Sequence, residues 1–161
     1  MTLTSIPVDG LPDLAPVAHS PFTETMCQAN HAFYKHSGFE PPWIAYMAVE
    51  EAVAVGTCAF KGTPRNNMVE IAYGTHPDHE GKGVATRMVQ ELVRIARSSD
   101  PLVRIIAQTL PEFNASTRVL GKCGFSHVRD GIDDEVGKIW EWELLGSDYP
   151  TWPLHPATFA S

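Results

Sequence analysis

Cysteine is scarce in this chain, and the little there is lies scattered. Cys27, Cys58 and Cys123 are the only three in 161 residues, with no CxxC pair and no zinc-like spacing. That argues against a disulfide framework or a thiolate metal site and favours buried thiols in a reducing cytoplasm. Long apolar runs are missing as well. IAYMAV and LVRII are among the longest and fall far short of a bilayer span. The start, MTLTSIPVDG, lacks the basic-then-apolar pattern of a secretory signal. Positive charge is in deficit: 12 Lys and Arg against 19 Asp and Glu leave a formal net charge of −7. This speaks against non-specific nucleic-acid binding and is compatible with a cationic acceptor.

What is present describes one soluble domain over 1–146. Apolar residues make up 43% and charged residues 19%, enough to build a real core without the signature of disorder. Residues 1–20 carry Pro7, Pro12 and Pro16 and read as an irregular arm with one short strand at its start. Residues 147–161 form a Pro- and aromatic-rich tail, which could cover an acceptor pocket or the groove of a homodimer partner. Ser20 followed by Pro21 signals a helix start, and the helix should run to about Gly38 with Phe22, Met26, Ala29 and Phe33 inward. Strands are expected at 44–49 and 53–60 as a hairpin, then at 68–75 after the turn GTPRNN. A strongly amphipathic helix spans 84–98, with Arg87, Glu91 and Arg94 off its apolar stripe. A strand at 102–110 follows, making a strand–helix–strand unit with right-handed parallel crossover. A short helix over 114–123 ends at Gly124, and strands 125–130 and 138–145 close the domain around GIDDEVG.

The stretch HPDHEGKGVATRM, 76–88, carries the chemistry. A metal reading has His76 and His79 but no third or fourth convergent ligand, since the other histidines lie at 19, 31, 36, 127 and 155. A Walker loop fails because Gly83, not Ser or Thr, follows Lys82, and a dinucleotide fingerprint fails at Thr86. What remains is a strand end, two glycines and a helix start. Free amides and the positive end of the helix dipole suit a phosphate there, while a plain turn is the competing reading.

The surroundings favour the phosphate. Residues 70–87, E-IAYGTHPDHEGKGVAT-R, resemble the acetyl-CoA motif of the GNAT acetyltransferase superfamily, R/Q-x-x-G-x-G/A opening a helix. NASTRVLGKCGF, 114–125, resembles the superfamily's downstream motif, most like the branch of ribosomal-protein N-terminal acetyltransferases, and WEWEL is similar to that branch's last strand. The resemblance covers about 44–145. It implies an α/β (α+β) GNAT fold: a mixed, mostly antiparallel sheet with one splayed parallel pair and helices on both faces. It also implies transfer of acetyl from acetyl-CoA to a primary amine, on a protein N-terminus or a small molecule, by direct attack in a ternary complex without a metal.

Residue by residue, the resemblance places the pyrophosphate on the backbone of Glu80, Gly81, Lys82, Gly83, Val84 and Ala85, with Thr86 adding a hydroxyl. Tyr73, Gly74 and Thr75 would pair with the thioester arm, one amide stabilising the oxyanion. Asn114 would contact that arm, or cap its helix, or both. Ser116 matches the serine given the acid role in the ribosomal-protein branch, and Glu70 sits where relatives often place a carboxylate base. Asp133, Asp134 and Glu135 are alternative bases. Two departures stand out: Glu80 replaces the usual Arg or Gln, and Leu120 replaces the tyrosine many relatives use as acid. A non-catalytic acyl-CoA-binding regulatory module is the alternative these departures leave open, and a metal hydrolase built on the histidine pair is a second rival. Cys123 is expected to be a structural thiol, and Trp140 and Trp142 to be core or rim.

Overall fold

A computed structural model describes residues 1–12 and 20–145. The tail expected at 147–161 and residues 13–19 of the arm lie outside the described residues. The order of elements is β1 (Thr2–Ser5), α1 (Pro21–Ser37), β2 (Ala45–Glu50), β3 (Val53–Phe60), β4 (Met68–Thr75), a 3-10 turn (Pro77–His79), α2 (Val84–Ser99), β5 (Arg104–Thr109), α3 (Ala115–Lys122), β6 (Phe125–Asp133) and β7 (Gly137–Leu144).

Seven strands form one sheet in the order β1-β2-β3-β4-β5-β7-β6. The β4–β5 pair is parallel and the other pairs are antiparallel. The parallel pair follows from the crossover through α2, whose length spans the sheet and returns the chain in the same direction. Alternation along the strands assigns the two faces. Val55, Cys58, Phe60, Val69 and Ile71 join Val84, Met88, Val89, Leu92 and Ala96 of α2 and Leu120 of α3 in the larger core. Residues of β2 and β3 that point the other way, Ala45, Met47 and Ala54, pack with Cys27 and Tyr34 of α1. Helices therefore cover both faces.

The inward stripe of α1 differs from the expected one. Thr23, Cys27 and Tyr34 are buried, Phe22 and Met26 are partly covered, and Phe33 is exposed. A hydrogen-bond pair fixes this rotation. Tyr34 Oη donates to Ile6 O at 3.0 Å and accepts from Ala45 N at 2.9 Å, tying the helix to the arm and to β2. Phe33 and Tyr34 are equivalent to a hydrophobicity pattern, but only the phenol can satisfy buried backbone. The β6–β7 hairpin also runs longer than expected, with Asp133 Oδ1 accepting from Glu135 N and Val136 N at its tip.

Candidate active site

The parallel pairing of β4 and β5 lasts only four residues, from Met68↔Arg104 to Ile71↔Ala107. Beyond it each strand keeps only its outer neighbour. Tyr73, Gly74 and Thr75 stay paired with Cys58, Thr57 and Gly56 of β3, while Gln108 and Thr109 pair with Glu141 and Trp140 of β7. The two inner edges part, and backbone donors and acceptors face the opening. Glycine at 56 helps hold β4 there: a Cβ on it would meet Gly74 O at 2.7 Å and the tip of Met88 at 3.0 Å.

The opening widens into a groove of about 590 Å³. One wall is the strand end, Tyr73, Gly74 and Thr75; another is the loop and helix start, Glu80, Gly81, Gly83, Val84, Ala85 and Thr86. The third is α3, through Ala115, Ser116, Arg118, Val119 and Lys122. Gly83 occupies the N-cap of α2 at φ 74°, ψ 12°, the left-handed region where a side chain is strained, and no side chain caps this helix. The first-turn amides of α2 are thus left to whatever enters the groove, at the positive end of the helix dipole.

Arg87, expected only to face away from the core, holds this loop in place. Its Nε and Nη2 donate to Glu50 Oε1 at 3.1 and 2.6 Å, and its Nη1 donates to Lys82 O at 3.0 Å. The guanidinium thus pins the peptide between Lys82 and Gly83 against the end of β2. Lys82 itself lies off the groove, its Nζ donating to Asp78 O at 3.0 Å.

Most of the expected cofactor residues, Tyr73, Gly74, Thr75, Glu80, Gly81, Gly83, Val84, Ala85 and Thr86, line the groove, and Ser116, the expected acid, lines it with them. Asn114 does not line it. It is the N-cap of α3, with Oδ1 accepting from Thr117 N at 3.2 Å and its own N–H bonded to Thr117 Oγ1 at 2.9 Å. Glu70 lies within the paired part of β4, opposite Ile106 and ion-paired to Lys61. Asp133 holds the hairpin tip, and the two amides it accepts keep its carboxyl below the usual range. Two further cations outside the motif positions, Arg118 and Lys122, share the groove with Glu80. Their i, i+4 spacing was visible in the sequence and puts both on one helix face.

Other singled-out residues have packing roles. Leu120 is fully buried in the core. Trp142 is buried with Nε1 donating to Thr109 Oγ1 at 3.0 Å, while Trp140 packs edge-on against Phe113 at 5.0 Å. Cys123 is partly covered, 3.7 Å from Thr86 O, and burial pushes its thiol up, away from the thiolate. His76 accepts from Asp78 N at 3.1 Å, capping the 3-10 turn, and its ring meets Phe22 at 4.5 Å. Among the described residues no group of three or more His, Cys, Asp or Glu could hold a metal ion.

A sheet that parts beside a parallel crossover, with an uncapped helix start at the parting, offers free backbone donors to an anionic cofactor. The family comparison agrees: the acetyltransferase (GNAT) domain matches residues 12–126, and the chain belongs to that family. Among curated proteins, an uncharacterized N-acetyltransferase p20 of Bacillus licheniformis is 36% identical over 103 residues, 59% of this chain. The chain spans 57% of that relative's length. The fold is shared with RimL, a ribosomal L7/L12 alpha-N-protein acetyltransferase solved with coenzyme A, at TM-score 0.60 and 15% identity over 80% of this chain and 74% of that one. It is also shared with a spermidine N-acetyltransferase SpeG chimera from Vibrio cholerae and hSSAT, at TM-score 0.67 and 13% identity over 90% and 96%.

Proposed function

We propose that this chain transfers an acetyl group from acetyl-CoA to a primary amine, in a ternary complex and without a covalent enzyme intermediate. The observation that carries the reading is the uncapped start of α2 placed at the mouth of the β4–β5 opening. The amides of the loop and first turn take the pyrophosphate, and Arg118 and Lys122 add positive charge along the same groove. The pantetheine arm continues into the parting, where Tyr73–Thr75 offer strand backbone. There an amide stabilises the oxyanion as the amine attacks, the kind of fixed dipole worth about 10²–10³ in rate.

The amine must arrive without its proton. Glu70 is the proposed acceptor of that proton, acting through solvent because its carboxylate sits below the opening and is paired with Lys61. Ser116, whose residue lines the groove, is the acid the family resemblance implies. The acceptor is an N-terminal α-amine of a protein or a small-molecule amine. The two solved relatives named above act on one of each.

The test is to follow free-thiol release and melting temperature with acetyl-CoA against a panel of free-N-terminus peptides and small amines. Stabilisation by acetyl-CoA with thiol release for at least one acceptor supports the reading. Stabilisation with no release for any acceptor supports the alternative, a regulatory module that binds acyl-CoA without turnover, which the replacement of the family tyrosine by Leu120 favours. Absence of stabilisation sinks both.

A further inference from the structure

Leu120 leaves the leaving-group side of this reaction without the phenol that the family resemblance implies, and its own side chain is completely buried in the core. A phenol is nonetheless present on the groove wall. Tyr73 lies two residues beyond the last β4–β5 pair, lines the groove together with Ser116, and sends its Oη across to α3, where it donates to Ser116 O at 3.1 Å. Ser116 is one helical turn before Leu120, so the hydroxyl supplied from the strand arrives on the helix face that the missing tyrosine would have used.

We infer that Tyr73 is the catalytic hydrogen-bond donor to the departing coenzyme A sulfur, in place of the absent helix tyrosine. This rests on the acetyl-transfer reading above. The amine nitrogen bonds to the acetyl carbon, the C–S bond breaks, and its electron pair stays on sulfur. The Tyr73 hydroxyl rotates from Ser116 O to that thiolate. The abandoned carbonyl keeps its own intrahelical amide, four residues on, so the switch leaves no acceptor unpaired. The amine's proton passes through solvent towards Glu70, and the thiolate held by Tyr73 takes a proton relayed from solvent through the Ser116 hydroxyl, so atoms and charge balance. Burial, reinforced by nearby Cys123 and opposed by the Ser116 side chain, pushes the phenol well above its ordinary value. It therefore keeps its proton at working pH and remains a donor, never a competing base.

The experiment compares Tyr73→Phe, Ser116→Ala and Tyr73→3-fluorotyrosine, using thiol release, coenzyme A affinity by calorimetry, and titration of the bound coenzyme A thiol by ultraviolet thiolate absorbance. Tyr73→Phe should lower kcat about 10²-fold, the scale for losing one donor to developing charge. It should leave coenzyme A affinity within about threefold at neutral pH, where a thiol resembling cysteine's is still protonated. The bound thiol should titrate about one unit higher than in the unaltered protein, roughly the loss of one hydrogen bond to a charged group. Tyr73→3-fluorotyrosine, a stronger donor of similar shape, should move that titration lower, and Ser116→Ala should move it little. An unchanged kcat in Tyr73→Phe overturns the assignment, and so does a lowered kcat with an unmoved thiol titration, which would mark a packing role only. If the unaltered protein binds coenzyme A but releases no thiol with any acceptor, the acetyl-transfer reading fails first, and this assignment with it.

Discussion

Two helices begin at the edge of one groove, and they begin in opposite ways. At α3, Asn114 and Thr117 satisfy each other's backbone reciprocally, so the first donors of that helix are spent within the protein. At α2, Gly83 sits in a left-handed conformation, offers no side chain, and leaves the donors open. The contrast teaches that a helix start is a binding site only when its own sequence declines to cap it. The same chain seals one helix start and leaves the other open along one groove.

The contrast can be broken most severely at Gly83. Gly83→Val puts a branched side chain at φ 74° with a Cβ 3.3 Å from Arg87 Nη1. Strain of about 1–3 kcal/mol at such a position should weaken acetyl-CoA binding by one to two orders of magnitude. A dissociation constant unchanged by calorimetry would show that the open start is not where the cofactor binds. Arg87→Ala comes next. Releasing the Lys82 carbonyl should raise the acetyl-CoA KM roughly tenfold with kcat nearly constant, and Arg87→Lys should recover part of it, since lysine keeps the charge without the fork.

At the sealed start the expected outcome is different in kind. Asn114→Ala removes the cap and should cost about 1 kcal/mol, a drop of about 2–4 °C in melting temperature, with acetyl-CoA affinity little changed. A large affinity loss with an unmoved melting temperature would instead make Asn114 a ligand contact. The smallest effect is expected at Glu80. Its carboxylate shares the groove with Arg118 and Lys122, so Glu80→Gln should tighten acetyl-CoA binding by only a few-fold, and less as salt is raised. A weakening would mean that the acid at this position contributes something other than repulsion.

The loop from Glu80 to Thr86 was legible in the sequence because its properties are local: glycine spacing and the onset of helical periodicity say where backbone donors will be free. The strand bounds at 53–60 and 68–75 were legible for a similar reason, since turn residues and alternation frame them. What escaped depends on partners distant in the chain. The rotation of α1 is set by Tyr34 reaching Ile6 and Ala45. The guanidinium of Arg87 has a role only because β2 brings Glu50 to it. Asn114 matched a ligand motif and a cap equally well, and the structure shows the cap through Thr117. Tyr73 could be placed on β4 from sequence, but the direction of its phenol required α3 to be docked beside it.

The parting of β4 from β5 has a consequence for how the protein breathes. Only four residue pairs of the ladder join β1–β4 to β5, β7 and β6, with α2 and α3 bridging from one side. Amide exchange should therefore see two cooperative units with a weak seam, each reopening on its own free-energy scale. A ligand strung along that seam touches both units at once and acts as a stitch. Saturating acetyl-CoA should merge the two exchange classes toward one, linking occupancy of the groove to the cooperativity of the entire sheet.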